Sequence, residues 1–451
     1  MRDTMRAPYL SWLGIFRLGC VQLALGSVVV LTTSTLNRVM VVELALPAML
    51  PGALVALHYA VQLSRPRWGY GADRGGRRTP WIIGGMALLA GGGLGAAGAT
   101  VLMGSMTGAG IAAAVIAFIA IGLGVGMSGT NLLALLATRT APARRPAAAT
   151  LAWLMMIAGI AVTAGVAGQL LDPFGPARLI AVAAGIGAVA MTLALFGTWG
   201  MEREAPAAAP AEKREPPAFM KALREVWADG QARRFTVFVF VSMLAYSAQD
   251  LILEPFSGHV FGFTPGESTA LAGTQHGGVF LGMLLTGAVA SVWGKGRPGF
   301  LRAWSTGGCI ASAGALCFLA IGAVHGPGWP LSVNVFFLGV SNGAFAVAAI
   351  SAMMALAAEG GPAADGSGRE GTRIGLWGAA QAIGFGLGGF LGAMAADVAR
   401  AVASDPGPAY GAVFAAEGVL FLVSALLAAR AARAGRRLAQ AAPPRALVPG
   451  E

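Results

Sequence analysis

The stretch Gly69–Arg78 reads GYGADRGGRR and stands between two apolar runs, near 48–66 and 80–103. Glycine, with no Cβ, lets a short connection turn tightly. Asp73, Arg77 and Arg78 can meet helix ends and their partial charges. A short, charged, glycine-rich turn between two oily runs implies neighbouring helices that each cross an apolar layer.

Composition extends this reading to the whole chain. Of 451 residues, 56% are hydrophobic and only 11% charged, against roughly 25% charged in a soluble domain. Twelve apolar stretches fall near 17–38, 48–66, 80–103, 109–138, 148–170, 178–200, 234–254, 268–293, 300–324, 329–358, 372–396 and 409–430. About 20 residues at about 1.5 Å each cross the roughly 30 Å of hydrocarbon in a bilayer. A multi-pass protein in the lipid bilayer is therefore expected, with the seventh span ending ahead of Pro255.

The net charge of +11 has a simple cause. With alternate loops on opposite sides, Arg38, Arg178 and Arg400 lie on one face and the other 28 of the 31 Lys and Arg on the other. This is the positive-inside pattern. It assigns both termini and the loops around 65–78, 139–145, 201–234, 295–302 and 359–373 to the cytoplasm, and no nucleic-acid partner is expected. The opening MRDTMRAPYLSWLGIFR lacks an apolar core with a small-residue cleavage site, so the first span is expected to be retained. Cys20, Cys309 and Cys317 lack metal-type spacing and read as packing residues.

The segment MEREAPAAAPAEKREPP reads as a flexible linker. It divides the chain into a first bundle over 1–200, a cytoplasmic linker over 201–233 and a second bundle with a basic tail over 234–451. Within the linker, Phe219, Leu223, Val226 and Trp227 share a helical face, as in an interfacial amphipathic helix. The halves echo one another at an offset of 225: Trp68-Gly69 with Trp293-Gly294, Gly159 with Gly384, and Asp172 with Asp397. Such an echo implies a duplicated six-helix bundle. Gly69, Asp73, Gly76, Arg77 and Arg78 also match the Gly-x-x-x-Asp-x-x-Gly-Arg-Arg signature, which resembles the major facilitator superfamily. The expected fold is an all-α membrane protein of that superfamily, with twelve transmembrane helices in two pseudo-symmetric six-helix bundles. Two decoys carry no weight: Gly93-x-Gly95-x-x-Gly98 and the loop EGGPAADGSGREGTR have no strand ahead of them for nucleotide binding, and the former reads as helix packing.

Ionisable groups in hydrocarbon cost about 2.5–3.5 kcal/mol each on insertion scales, so they mark cavities or partners. The first span ends with Asn37, Arg38 and Glu43, and the seventh carries Tyr246, Gln249, Asp250 and Glu254. One expectation is a polar lock across the bundles, with Arg38 meeting Asp250 or Glu254; the alternative is a local pair with Glu43. His58, with Gln62 one turn on, and His276, after Gln275, are the two histidines expected within the membrane. The sequence shows no zinc set, nucleophile triad or paired-carboxylate site, and no enzyme activity is expected.

The blocks TLNRVMVVELALPAMLPGALVALHYAVQLSRPRWGYGADRGGRRTPWI, AYSAQDLILEPFSG and GLWGAAQAIGFGLGGFLG closely resemble the PucC and LhaA proteins of purple phototrophic bacteria. The resemblance implies an assembly factor in the bacterial inner, photosynthetic intracytoplasmic membrane. It would bind bacteriochlorophyll and deliver it to light-harvesting antenna polypeptides, near the pigment synthase and the membrane insertion machinery. His58, Gln62 and His276 then become candidate pigment-binding residues, since a neutral imidazole can ligate the central magnesium. Exposing a phytyl-type tail of roughly twenty carbons to water costs on the order of 15 kcal/mol, at about 0.8 per methylene, so such a pigment should travel through protein and lipid. A transporter of an amphiphilic solute and a structural subunit of a photosynthetic complex are the other readings. A reporter fused to the amino end is expected to signal from the cytoplasm; an external signal there overturns the assigned sidedness.

Overall fold

A computed structural model describes residues 9–65, 68, 77–141, 144–202, 227–228, 230–293, 300–358, 370–403 and 405–441. Among these residues the chain folds into helices: α1 (Trp12–Glu43), α2 (Met49–Ser64), α3 (Thr79–Met103), α4 (Thr107–Arg139), α5 (Arg145–Leu171), α6 (Pro176–Thr198), α7 (Gly230–Phe261), α8 (Pro265–Trp293), α9 (Phe300–His325), α10 (Leu331–Ala358), α11 (Glu370–Val402) and α12 (Pro406–Ala441). Ten of them contain stretches long and apolar enough to cross a membrane; the shorter α2, together with α8, completes two sets of six.

Each set has its own core. Leu18, Met40, Leu89, Phe118, Ile121 and Leu171 are buried together in α1–α6, and Phe238, Ile252, Phe345, Trp377, Tyr410 and Phe414 in α7–α12. Ile116, Val166, Phe318 and Val419 point outward instead, where lipid makes an apolar side chain as much at home as the core does. Association must therefore come from close packing and buried hydrogen bonds rather than from hydrophobic burial.

Small residues supply the packing. A Cβ at Gly159 of α5 would lie 2.2 Å from the Leu23 carbonyl oxygen of α1, and one at Gly384 of α11 would lie 2.9 Å from the Phe240 carbonyl oxygen of α7. The residues 225 apart thus seat the fifth helix on the first and the eleventh on the seventh. Asp172 and Asp397 correspond in the same way. Asp172 accepts from Thr264 Oγ1 just ahead of α8 (2.9 Å), and Asp397 accepts from the backbone N–H groups of Ala48 and Met49 at the start of α2 (2.9 and 2.7 Å). The two bundles join along α5 with α8 and α2 with α11, where Gly168 faces Gly266 and Gly52 faces Ala393.

Several boundaries differ from expectation. Helix α1 runs on to Glu43, past an irregular turn at Ser34. Helix α7 begins at Gly230 and continues through Pro255 to Phe261. Neighbouring helices can satisfy the groups a proline frees, so it does not end a membrane helix as it does in water. Of the amphipathic linker face, Phe219, Leu223 and Val226 lie outside the described residues, as do Gly69, Asp73 and Gly76 of the signature loop. Just past that loop, the Glu202 carboxylate accepts from the backbone N–H groups of Arg78 and Thr79 (2.7 and 2.9 Å). It caps the start of α3, where the helix dipole favours an anion.

Replacing Gly159 with Ala is expected to lower stability by about 1–3 kcal/mol, because backbone must shift. Replacing Gly91, which has open space around it, should be neutral or raise stability by up to about 1 kcal/mol. Thermal unfolding in detergent reads both; equal effects would refute the close-packing account.

Candidate functional site

Pro255 sits inside α7 and has no N–H, so the Leu251 carbonyl four residues earlier loses its helical donor. Asn37 of α1 replaces it: its Nδ2 donates to that carbonyl oxygen at 2.7 Å, with Asn37 fully buried. A defect in one bundle is thereby filled by a side chain of the other.

Arg38, beside it, is 3% exposed. Its Nη1 donates to Glu43 Oε1 at 2.9 Å, its Nε to Ser268 Oγ of α8 at 3.1 Å, and its Nη2 to the Phe263 carbonyl. Residues 39–43 form a π turn. Because a π turn bonds i to i+5, it brings positions five apart onto one face and aligns Glu43 with Arg38. The expected pairing of Arg38 with Asp250 or Glu254 is therefore corrected. The guanidinium lies against Gly258, whose added Cβ would come 2.9 Å from it. That is eight residues beyond Asp250, about 12 Å along the helix. Arg38 still crosses the bundles, but through Ser268 and a carbonyl.

The acids separate. Asp250 is half-buried and accepts from Gln275 Nε2 of α8 (3.3 Å). Glu254 is buried, and its Oε2 has no partner among the described residues. Gln249 is fully buried, with neither side-chain atom partnered among those residues. The cross-bundle hydrogen bonds of Thr35 with Thr269, Asn37, Arg38, Thr264 and Asp397 gather at the helix ends remote from the termini. Deeper in, Tyr59 of α2 stacks on Phe385 of α11, with ring centroids 5.7 Å apart, and Tyr246 of α7 meets the same ring edge-on at 5.7 Å.

The histidines differ in what they leave free. His58 is buried, and its Nε2 is taken by Gln62 Nε2 at 2.8 Å; Gln62 Oε1 in turn accepts from Arg65. His276 is half-buried, and its Nδ1 donates to the Ala272 carbonyl at 2.9 Å. That bond fixes the tautomer and leaves a lone pair on Nε2, an arrangement usual for metal-ligating histidines. Ala272, one turn away on the same face, packs with Val30 of α1 and Ala164 of α5, so His276 sits where the bundles meet.

Sequence reasoning missed Ser268, the carbonyls of Leu251 and Phe263, and Glu417, which is 3% exposed in α12. Only Glu417 had a visible signal, as a lone acid in an apolar span.

This architecture is a fold shared with solved membrane transporters. It superposes on a solved bacterial homologue of the human drug peptide transporters with a TM-score of 0.69 at 15% identity, covering 94% of this chain and 99% of that one. A bacterial homologue of the human lysosomal transporter Spinster gives 0.64 at 18% identity, covering 94% and 97%. At such identities the likeness establishes the fold alone. The chain belongs to the PUCC protein family, which it matches over residues 35–435, as the quoted blocks implied. It is 54% identical over 420 residues to the bacteriochlorophyll synthase 44.5 kDa chain of Rhodobacter capsulatus, covering 93% of this chain and 95% of the relative. It is 32% identical over 448 residues to PucC of Cereibacter sphaeroides, covering 94% of each.

Replacing Asn37 with Ala orphans a buried carbonyl and is expected to cost about 1–3 kcal/mol. In a Pro255→Ala background the backbone N–H returns and the same change should cost much less. A double-mutant cycle by thermal unfolding measures this, and equal penalties in the two backgrounds would refute the substitution of Asn37 for the missing donor.

Proposed function

We propose that the chain is a light-harvesting antenna assembly factor that binds bacteriochlorophyll and delivers it to antenna polypeptides. It does so within the inner, photosynthetic intracytoplasmic membrane, with both termini in the cytoplasm. The observation that carries this reading is His276, an imidazole oriented from behind by the Ala272 carbonyl, whose Nε2 has no partner among the described residues where the bundles meet. This donor would suit a magnesium that takes an imidazole ligand, and the Tyr59, Tyr246 and Phe385 rings add aromatic surface at the other seam, between α2 and α11. His58 fits less well, because Gln62 already occupies its nitrogen. Family membership, and a relative whose name couples it to bacteriochlorophyll synthase, support the pigment as cargo. The synthase and the membrane insertion machinery are the partners this role needs, upstream and downstream. The chain handles the pigment and performs no covalent step on it.

Purification from pigmented cells in mild detergent tests the reading. The expected result is near-stoichiometric bacteriochlorophyll together with antenna polypeptides. His276→Phe should lose most of the pigment while the protein stays folded, and His58→Phe should retain it. Colourless wild-type protein that drives solute uptake in liposomes would instead favour a transporter. Unchanged pigment in His276→Phe removes that residue as the ligand.

A further inference from the structure

Glu417 lies in the middle of α12, and neither carboxyl oxygen has a hydrogen-bond partner among the described residues. Gln249 of α7 is in the same position, with both carboxamide atoms unpartnered. The two helices are antiparallel neighbours whose register is set by aromatic contacts. Phe256 has its ring 4.9 Å from that of Phe414 and 5.5 Å from that of Tyr410, and His259 Nδ1 is 3.0 Å from the Tyr410 hydroxyl. From Phe256 toward the middle of the bilayer, α7 presents Ile252, Gln249 and Ala245 on one fully buried stripe. From Tyr410, α12 presents Phe414, Glu417 and Phe421 in the same way. Steps of three and four residues keep each stripe on one face, which sets Gln249 and Glu417 opposite each other. Asp250, one residue along α7, turns instead toward Gln275 of α8.

An ionised carboxylate held in lipid-like surroundings without a cation is strongly disfavoured, so a buried acid there stays neutral. The cations of this face are remote: Arg400 of α11 lies over the Tyr410 ring, seven residues from Glu417, about 10 Å along the helix. Helix α10 has no ionisable side chain, α9 offers only Cys309 and Cys317 near this depth, and the ionisable groups of α7 nearby are Tyr246, Asp250 and Glu254. A neutral carboxyl has one O–H to donate and one C=O to accept. A carboxamide has the complement. Two hydrogen bonds between them would satisfy all four orphaned atoms.

We propose that Glu417 is a proton-binding site inside the second bundle. With a rotation of both side chains its carboxylic acid would donate to Gln249 Oε1 and accept from Gln249 Nε2, bonds that the two do not make in the structure. A further donor stands at the same depth: Asn342 of α10 accepts from Ser312 Oγ (2.8 Å), and its Nδ2 has no partner among the described residues. Gly418 faces Ala313, the residue after Ser312, which brings this pair to the level of Glu417. The site is independent of pigment binding and concerns the state in which the carrier body is held together.

Infrared spectroscopy on the purified full-length chain tests the assignment. Glu417→Gln, which keeps shape and pairing, should remove one protonated-carboxyl C=O band and leave the melting temperature nearly unchanged. That band should persist in Asp250→Asn and in Glu254→Gln. Loss of carboxylate bands instead, or no loss of an acid band, overturns the proposal. Gln249→Leu and Glu417→Leu should each lower the melting temperature, and the double variant should lose less than the two together. Additive losses would refute the pairing, and the infrared result on Glu417→Gln stands even where a leucine variant fails to fold.

Discussion

One carbonyl oxygen ties the two halves together. Pro255 strips the Leu251 carbonyl of its helical donor, and in hydrocarbon no water can take its place. Asn37 reaches across from the other bundle to supply the missing N–H. The gap in α7 and the polar side chain of α1 would each be costly alone. Together they are a specific contact between bundles, and Arg38, Glu43, Ser268 and the Phe263 carbonyl extend it into a polar clasp.

The rest of the structure obeys the same scarcity of hydrogen-bonding partners. Because lipid is as apolar as leucine, the bundles cannot be held by burying oil and are held by close backbone approach at glycines such as Gly159, Gly384 and Gly388. Several polar residues stand where another protein group answers them: Gln275 for Asp250, Glu202 for the start of α3, Asp397 for the start of α2. His276 is answered on one ring nitrogen, and its other nitrogen has no partner among the described residues.

Much of the architecture was legible in the sequence, because a bilayer converts length and apolarity directly into crossings. The twelve stretches and the 225-residue echo of Gly159 with Gly384 reappear as helices and matched packing sites. The candidate site was legible by residue but not by pairing. Asn37, Arg38, Asp250 and Glu254 stood out as polar groups among oily ones, yet Arg38 turned to Glu43 because a π turn shortens the path between them. Hydropathy carries no information about such a turn. His58 and His276 looked equivalent as lone imidazoles, and only their neighbours, Gln62 and the Ala272 carbonyl, distinguish them.

The sequence by itself determined the solvent of this protein, the number and order of its crossings, its duplicated plan and the family to which it belongs. These depend on composition and on local runs of residues, which read the same whatever the chain packs against. The tertiary structure decided that Pro255 lies within a helix, that Asn37 answers it from the other half, and that Asp250 meets Gln275 of α8. Those outcomes depend on rotation about a helix axis and on register between helices distant in the chain, and a membrane that rewards apolar side chains on every face leaves both undetermined until the helices meet.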